Sequence, residues 1–387
     1  MAEKTSRVYG LQFGLLCLSS FLFFASFNML IPELPNYLTS LGGAEYKGLI
    51  ISLFTLTAGL SRPFSGKLAD KIGRIPVMVV GGAVCLACGF LYPLTGSVAA
   101  FLLLRFVHGF STGFTPTGIG AYVADIIPVH RRGEATGLLG LAGSLGMAAG
   151  PAMGGTIANH FSLDIMFYAS SALAFLAVAV VARMPETLDE TQKFRVGMLK
   201  ITRKEIFEPR VFHPSLVMFF TIFSFGAILT VVPDFSEHLG IQNKGLFFTS
   251  FTLSSLAVRF LAGRLSDKYG RITILRLSAA VLVLALVWLG MAKSAVDLLT
   301  AAAIFGLASG MNSPTIFAWT IDLSHEAHRG RAMATMYIAL EAGIGIGALS
   351  SSWIYNNQSA NFPLVFFTCA GTALLAFLYL MLLVKKE

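Results

Sequence analysis

Twelve long apolar runs fill this chain, and any fold it adopts has to keep all of them out of water. They fall at roughly 10–38, 47–66, 75–94, 98–122, 133–159, 163–183, 213–238, 244–263, 272–292, 296–320, 331–355 and 361–384. A helix needs about 20 predominantly apolar residues to cross a bilayer, and each run is long enough. Composition points the same way. Of the residues, 55% are hydrophobic and 12% charged, with a mean hydropathy of +0.74, whereas about 25% charged is ordinary in a soluble domain. The expectation is an all-α membrane protein of twelve transmembrane helices, embedded in a lipid bilayer.

The second half of the chain repeats the first. Residues 66–74 read GKLADKIGR and residues 263–271 read GRLSDKYGR, six of nine positions identical at a separation of 197. Each copy has an arginine four residues upstream, Arg62 and Arg259. At the same offset Lys47-Gly48 matches Lys244-Gly245, Asp125 matches Asp322, and Arg132-Gly133 matches Arg329-Gly330. IPELPNYL (31–38) matches VPDFSEHL (232–239) in kind once the register slips by four residues, which sets Glu33 opposite Asp234. Parallel repeats of this sort are related by an axis along the membrane normal and bind their solute between the halves, near the midplane. Two pseudo-symmetric six-helix bundles are therefore expected, residues 1–183 and 213–387. A polar cytoplasmic linker, 184–212, joins them and has room for one amphipathic helix.

A formal net charge of +8 does not mark a nucleic-acid binder here, because the charges sit in short loops between apolar runs. With both termini cytoplasmic, only Lys47, Lys244 and Lys293 of the 28 Lys and Arg fall outside, the positive-inside pattern. Cys17, Cys85, Cys88 and Cys369 all lie within apolar runs and read as small buried hydrophobes rather than ligands or disulfide partners. The first run is longer than a signal-peptide core and lacks a small-residue cleavage site, so it is expected to stay as a span. No G-x4-GK-[ST] loop occurs, which leaves ATP-driven pumping without support. No metal cluster or nucleophile–base pair lies in the spans, so neither an enzyme nor a cofactor is expected.

The repeated loop reads as a latch on the cytoplasmic face. Gly66 and Gly73 suit a tight interhelical turn, while Asp70 and Asp267 are placed to accept hydrogen bonds from arginines such as Arg74, Arg131, Arg132, Arg271 and Arg331. In GSLGMAAGPAMGG (143–155) small residues at three- and four-residue spacing allow close helix approach, and Pro151 removes a backbone hydrogen bond and favours a bend. Span eleven keeps Gly343 and Gly347, with Ala348 in place of the proline.

Charges inside the spans are costly, at least ~2.5 kcal/mol each near a helix centre, and mark functional candidates. Arg105 and His108 share a face of the fourth span. Glu341 lies about ten residues into the eleventh, near the midplane, with no basic neighbour in sequence; it is the acid best placed to take and release a proton. Glu33 and Asp234 form a symmetric pair at the outer ends of spans one and seven, suited to a gate or a proton entry point, or simply to two interfacial acids.

These residues carry a resemblance. Gly66…Asp70…Gly73-Arg74 resembles the loop signature of the major facilitator superfamily, with Ile75-Pro76 where a further basic residue is often found. LLLRFVHGFSTG (102–113), with Arg105 and Gly109, resembles that family's fourth-helix motif, linked to proton transfer. Gly137, Gly146, Gly150-Pro151 and Gly154-Gly155 match the G-x8-G-x3-GP-x2-GG pattern of its antiporters, notably the twelve-span drug/proton exporters. The resemblance covers the whole chain. It implies a cavity lined from spans 1, 2, 4, 5, 7, 8, 10 and 11, for which Phe24, Asn28, Phe110, Phe114, Phe223, Asn312, Trp319 and Tyr337 are the candidates. Asn28 stands where some exporters carry an acid, which moves the coupling role to Glu33 or Glu341.

The resulting expectation is a proton-coupled antiporter in the inner membrane of a bacterium. It would work as a monomer, with a small-molecule solute and protons as its partners and the proton gradient as its energy source. It would export amphipathic or lipophilic organic molecules by alternating access, the Asp70 and Asp267 loops closing the inner side in the outward-open state. The alternatives are a proton symporter taking up a nutrient such as a sugar or organic acid, which asks for a more polar cavity, and a non-transporting receptor or scaffold on the same fold.

Overall fold

The computed structural model describes residues 9–128, 131–200, 207–324 and 329–383; for residues 132–134, 260, 329–330 and 383 only the backbone is described. Among the described residues the chain forms twelve helices of 18 to 29 residues. In the first half these are α1 (Leu11–Leu30), α3 (Lys47–Ile72), α4 (Arg74–Leu91), α5 (Val98–Ile126), α6 (Arg132–His160) and α7 (Leu163–Val181). In the second they are α8 (Phe212–His238), α9 (Gly245–Tyr269), α10 (Arg271–Met291), α11 (Ala295–Leu323), α12 (Arg329–Tyr355) and α13 (Phe362–Leu383). A short α2 (Leu34–Ser40) follows α1, because Pro32 and Pro35 interrupt the first apolar run and leave Glu33 at the junction.

Helices suit this composition because each satisfies its own backbone in hydrocarbon. Nine of them are long and apolar enough to cross a membrane on that measure alone, and the bent α9 makes ten. The helices that fall short, α3 and α6, carry more polar residues and glycine, and like α9 they face the opposite half: α3 packs on α12, and α6 on α9.

Local signals set the helix ends twice over. Ser97 and Ser294, 197 apart, each accept a hydrogen bond from a backbone N–H in the first turn of α5 and α11, at 3.2 Å in both cases. Gly73 and Gly270, again 197 apart, take φ of +119° and +88°, a region open mainly to glycine, and so break α3 from α4 and α9 from α10.

Packing repeats as well. In the first half α1 packs on α6 and α7, and α5 on α3 and α4; in the second α8 packs on α12 and α13, and α11 on α9 and α10. A Cβ on Gly146, Gly150 or Gly154 of α6 would run into the α1 backbone at Phe21, Ala25 or Met29. Their counterparts Gly343 and Gly347 of α12 sit as tightly on Phe219 and Phe223 of α8. Gly137 has nothing within 4 Å and does no such packing. Within the linker the described part holds two short turns, Val196–Leu199 and Pro209–Val211; residues 201–206 lie outside the described residues.

Candidate functional site

A cavity of about 340 Å3 lies between the halves at mid-depth, lined from α1, α3, α5 and α6 on one side and α8, α9, α11 and α12 on the other. Phenylalanines 24, 27, 54, 225 and 251 form its apolar walls. Its polar lining consists of Asn28, Thr55, Thr112, Ser144, Thr252, Ser255, Ser309, Ser313 and Tyr337, with Arg62, Arg105, Arg259 and Glu341 as the charged members.

Glu341 has a partner that its sequence neighbourhood did not suggest. Arg62 of α3 reaches across from the other half, its Nη2 donating to Glu341 Oε1 at 2.7 Å. The guanidinium lies 4.3 Å from the centre of the Tyr337 ring, a geometry worth roughly 0.5–2 kcal/mol. Gly59, one turn before Arg62, gives the Glu341 side chain room: a Cβ there would lie 3.3 Å from Glu341 Cβ.

Arg105 is almost wholly buried, at 1% exposure, and its contacts are neutral. Its Nε donates to the carbonyl of Ile50 at 3.0 Å and Nη1 to the Tyr92 hydroxyl at 3.1 Å, with the guanidinium 4.6 Å from the Phe54 ring centre. His108 stands beside it, its Nδ1 3.0 Å from the Tyr92 hydroxyl and its Nε2 3.4 Å from Cys85 Sγ. Arg105, His108 and Tyr92 thus make one buried network joining α3, α4 and α5 near the cavity wall.

Glu33 and Asp234 belong to a different site, at the end of the bundle opposite the repeated loops. Lys47 at the start of α3 pairs with Asp234 of α8, and both side chains are 9% exposed. Lys244, just before α9, lies 2.9 Å from Glu237 and 3.9 Å from Glu33. Around them Gly48 N–H donates to Ser352 Oγ at 3.0 Å, Asn243 to the Ala152 carbonyl at 3.2 Å, and Asn36 to Glu237 at 3.0 Å. Pro151, Gly154 and Gly155 take part here too, Gly245 packing on the Pro151 carbonyl and Gly155 on Asn243. Among the described residues, hydrogen bonds and ion pairs between helices of the two halves fall at this lysine end and at mid-depth. The halves are clamped there.

At the other end each repeated loop binds within its own half. Arg74 joins Asp70 and Asp125, both at 3.0 Å. Arg271 joins Asp267 and, at 2.9 Å, Asp322, and Gly66 has nothing within 4 Å. The Arg132 side chain lies outside the described residues. One acid of the linker completes the first loop. Glu186 accepts from the N–H groups of Arg74 and Ile75 at 3.0 Å each, and from Thr187 and Leu188 at 2.9 and 3.1 Å. Partial burial works against its charge, yet the four N–H groups outweigh that and hold the carboxyl below its ordinary range.

Of the aromatic and amide candidates, Phe24, Asn28 and Tyr337 line the cavity. Phe110 is 36% exposed on the outside of α5, and Phe114 packs against Leu68, Ala69, Val77 and Met198. Phe223 and Trp319 are buried in the helix packing of the second half. Asn312 is buried, donating to Thr221 Oγ1 at 2.9 Å while its Oδ1 finds no partner. Sequence reasoning noted Arg62 and Arg259 without giving them a role and passed over Ser144, Tyr92 and Glu186. For the arginines the signal was there, one turn before each repeated loop.

Two parallel six-helix halves around a central cavity of rings and charges define a membrane transporter. The Major Facilitator Superfamily model matches residues 16–243 and again residues 214–387, and the chain belongs to that superfamily. It is an integral inner-membrane transporter rather than an enzyme. The chain is 28% identical over 350 residues to the multi-drug resistance efflux pump PmrA of Streptococcus pneumoniae, covering 86% of each. It is 26% identical over 393 residues to the multidrug resistance protein MdtG of Klebsiella pneumoniae, covering 95% of this chain and 92% of the relative. Among solved structures it resembles the human organic anion transporter MFSD10 (TETRAN), with a TM-score of 0.75 at 20% identity over 98% of this chain and 100% of that one. It also resembles a D-xylose–proton symporter, with a TM-score of 0.79 at 17% identity over 95% and 96%. At these identities the structural likeness speaks to the fold alone.

Proposed function

We propose that the protein is a proton-coupled antiporter that exports amphipathic or lipophilic organic molecules, with Glu341 as its proton-binding group. The observation that carries this is the Arg62–Glu341 contact, an ion pair inside the cavity that joins the two halves. A proton on Glu341 cancels the charge that holds Arg62 and weakens a bond between the halves, so proton occupancy and the relative position of the halves are one equilibrium. Arg105, buried with His108 and Tyr92, would keep a positive charge beside this step. The efflux names of PmrA and MdtG support the direction.

The positive-inside rule assigns the repeated loops and both termini to the cytoplasm. The clamped lysine end then faces outward, and the cavity is loaded from inside. Opening outward breaks the Lys47–Asp234 pair and brings the Asp70 and Asp267 loops, together with Arg132, into their latching role. The chain would work as a monomer. Proteoliposomes provide the test. Solute flux driven by an imposed pH gradient is lost in Glu341→Gln while solute exchange without a gradient persists; unchanged gradient-driven flux in that variant removes Glu341 from the coupling step.

A second reading, proton symport of a nutrient, is favoured by the ring of hydroxyls and the amide in the lining, which is more polar than a wall of phenylalanine alone. The same vesicles separate the two, since symport accumulates solute on the side the protons enter and antiport expels it.

A further inference from the structure

Arg62 and Arg259 stand 197 residues apart, and so do the residues they touch across the cavity, Ser144 and Glu341. Arg62 donates to Glu341 at 2.7 Å, whereas Arg259 Nη1 donates to Ser144 Oγ at 3.1 Å. The repeat has therefore drawn the same contact between the halves twice and supplied the carboxylate once. Arg259 is left with a neutral hydroxyl, and its buried Nε has no partner. Arg105 is satisfied by neutral acceptors as well. The lining thus holds three arginines against the single carboxylate of Glu341. A guanidinium at this depth without a counter-charge is costly, and an anion supplied from outside the protein would offset that cost.

The surroundings of Arg259 fit such an anion. Gly140 of α6 leaves the wall bare opposite Nη1, where an added Cβ would lie 3.8 Å away. Ser144 stands one turn along, Ser255 one turn back on α9, and the Phe24 ring lies against Gly143. Guanidinium and hydroxyl donors beside an aromatic wall suit a planar acid group carried on an apolar body.

We infer that Arg259 and Ser144 form the docking point for the anionic head group (carboxylate, sulfonate or phosphate) of an amphipathic solute whose apolar body lies along Phe24 and its neighbouring rings. This rests on the reading that the cavity is the solute site, but not on the direction of transport or on proton coupling. The same head-group chemistry is offered by an anionic lipid, so the test has to tell solute from lipid.

Binding to the purified full chain in detergent is measured for radiolabelled 1-naphthaleneacetate and for its neutral amide, with a naphthylmethyl trimethylammonium ion as the cationic control. The acid should bind at least about tenfold tighter than the amide, a difference of about 1.4 kcal/mol. Arg259→Gln should abolish that preference while leaving amide binding in place. Ser144→Glu restores the missing carboxylate; it should remove acid binding and raise the melting temperature, a rise that Arg259→Gln cancels in the double variant. Equal binding of acid and amide, tighter binding of the cation, or no binding of any probe overturns the inference. So does displacement of the acid by phosphatidylglycerol at concentrations where phosphatidylcholine is inert, which reassigns the site to lipid. No pH gradient enters this assay, so a failed coupling test leaves it standing and the reverse holds too.

Discussion

Asp234→Asn removes the charge that binds Lys47 to the opposite half, and its effect is bounded by the geometry. Both side chains are 9% exposed, and breaking one partner of a buried pair costs about 3–5 kcal/mol. Two features reduce this. The lysine stem is long enough to turn its ammonium toward the membrane edge, and the Tyr355 ring remains 5.8 Å from Lys47 Nζ. We expect about 2–3 kcal/mol against the clamped state, a shift of roughly 30- to 150-fold between conformers. The Lys244–Glu237 contact does not enter, because both residues belong to the same half, and Lys244 stands 3.9 Å from Glu33 across the seam. Spin labels at the exposed Ser40 and His238 report the separation of the halves at this end. Cys17→Ser suffices as a background, since Cys85, Cys88 and Cys369 are buried. Pulsed dipolar spectra should show one short distance in the parent and a second, longer one in Asp234→Asn, with the short distance regained when Lys47→Asp is combined with Asp234→Lys. An unshifted distribution in Asp234→Asn, or an exchanged pair no closer to the parent than the single variants, would refute the argument.

Two further outcomes are expected. Gly150→Leu, forced against the Ala25 carbonyl of α1, should cost about 1–3 kcal/mol and lower the melting temperature, whereas Gly137→Leu in the same sequence pattern should melt like the parent. Glu186→Gln should lower the melting temperature at neutral pH by removing the cap on α4, worth about 0.5–2 kcal/mol. Because the native carboxyl is held below its ordinary value of 4.5, the stabilisation is complete above that value and fades as the pH falls through the lowered one. Parent and variant melting curves should therefore converge in acid; a gap independent of pH would show that the charge is not the stabilising feature.

The spans, the two halves and the loop motif were legible in the sequence because each is a local or periodic signal. Run length reports a span, and a fixed offset reports a repeat. Partners are another matter. Nothing near Glu341 in the chain suggests Arg62, because their contact depends on how one rigid half meets the other. The offset of 197 nevertheless held half the answer: it pairs Arg62 with Arg259 and Lys47 with Lys244, and both pairs lie between the halves. The aromatic candidates show where such signals end. Phe24 and Phe110 are alike in composition and in position within a span, yet one lines the cavity and the other stands outside α5. Helix rotation decides that, and the apolar runs here are hydrophobic on nearly every face. Glu186 was hidden for the opposite reason, as one acid among several in a polar stretch, singled out only by the N–H groups at the start of α4.

The clamp at the lysine end joins the halves along two seams that the repeat would make equal, but their chemistry differs. Where α3 meets α12, Lys47 crosses to Asp234 on the far half. Where α6 meets α9, Lys244 is nearest to Glu237 of its own half and 3.9 Å from Glu33 of the other, and the closer crossings are made by the amides of Asn243 and Asn159, at 3.2 and 3.0 Å. The charges that meet across both seams are buried, where salt screens them far less than on an open surface. Losing either charge of the Lys47–Asp234 pair, rather than raising salt, should therefore loosen one seam and spare the other, so that the halves part along α3 and α12 while α6 and α9 stay shut. A molecule laid out on a two-fold plan thereby acquires a front and a back.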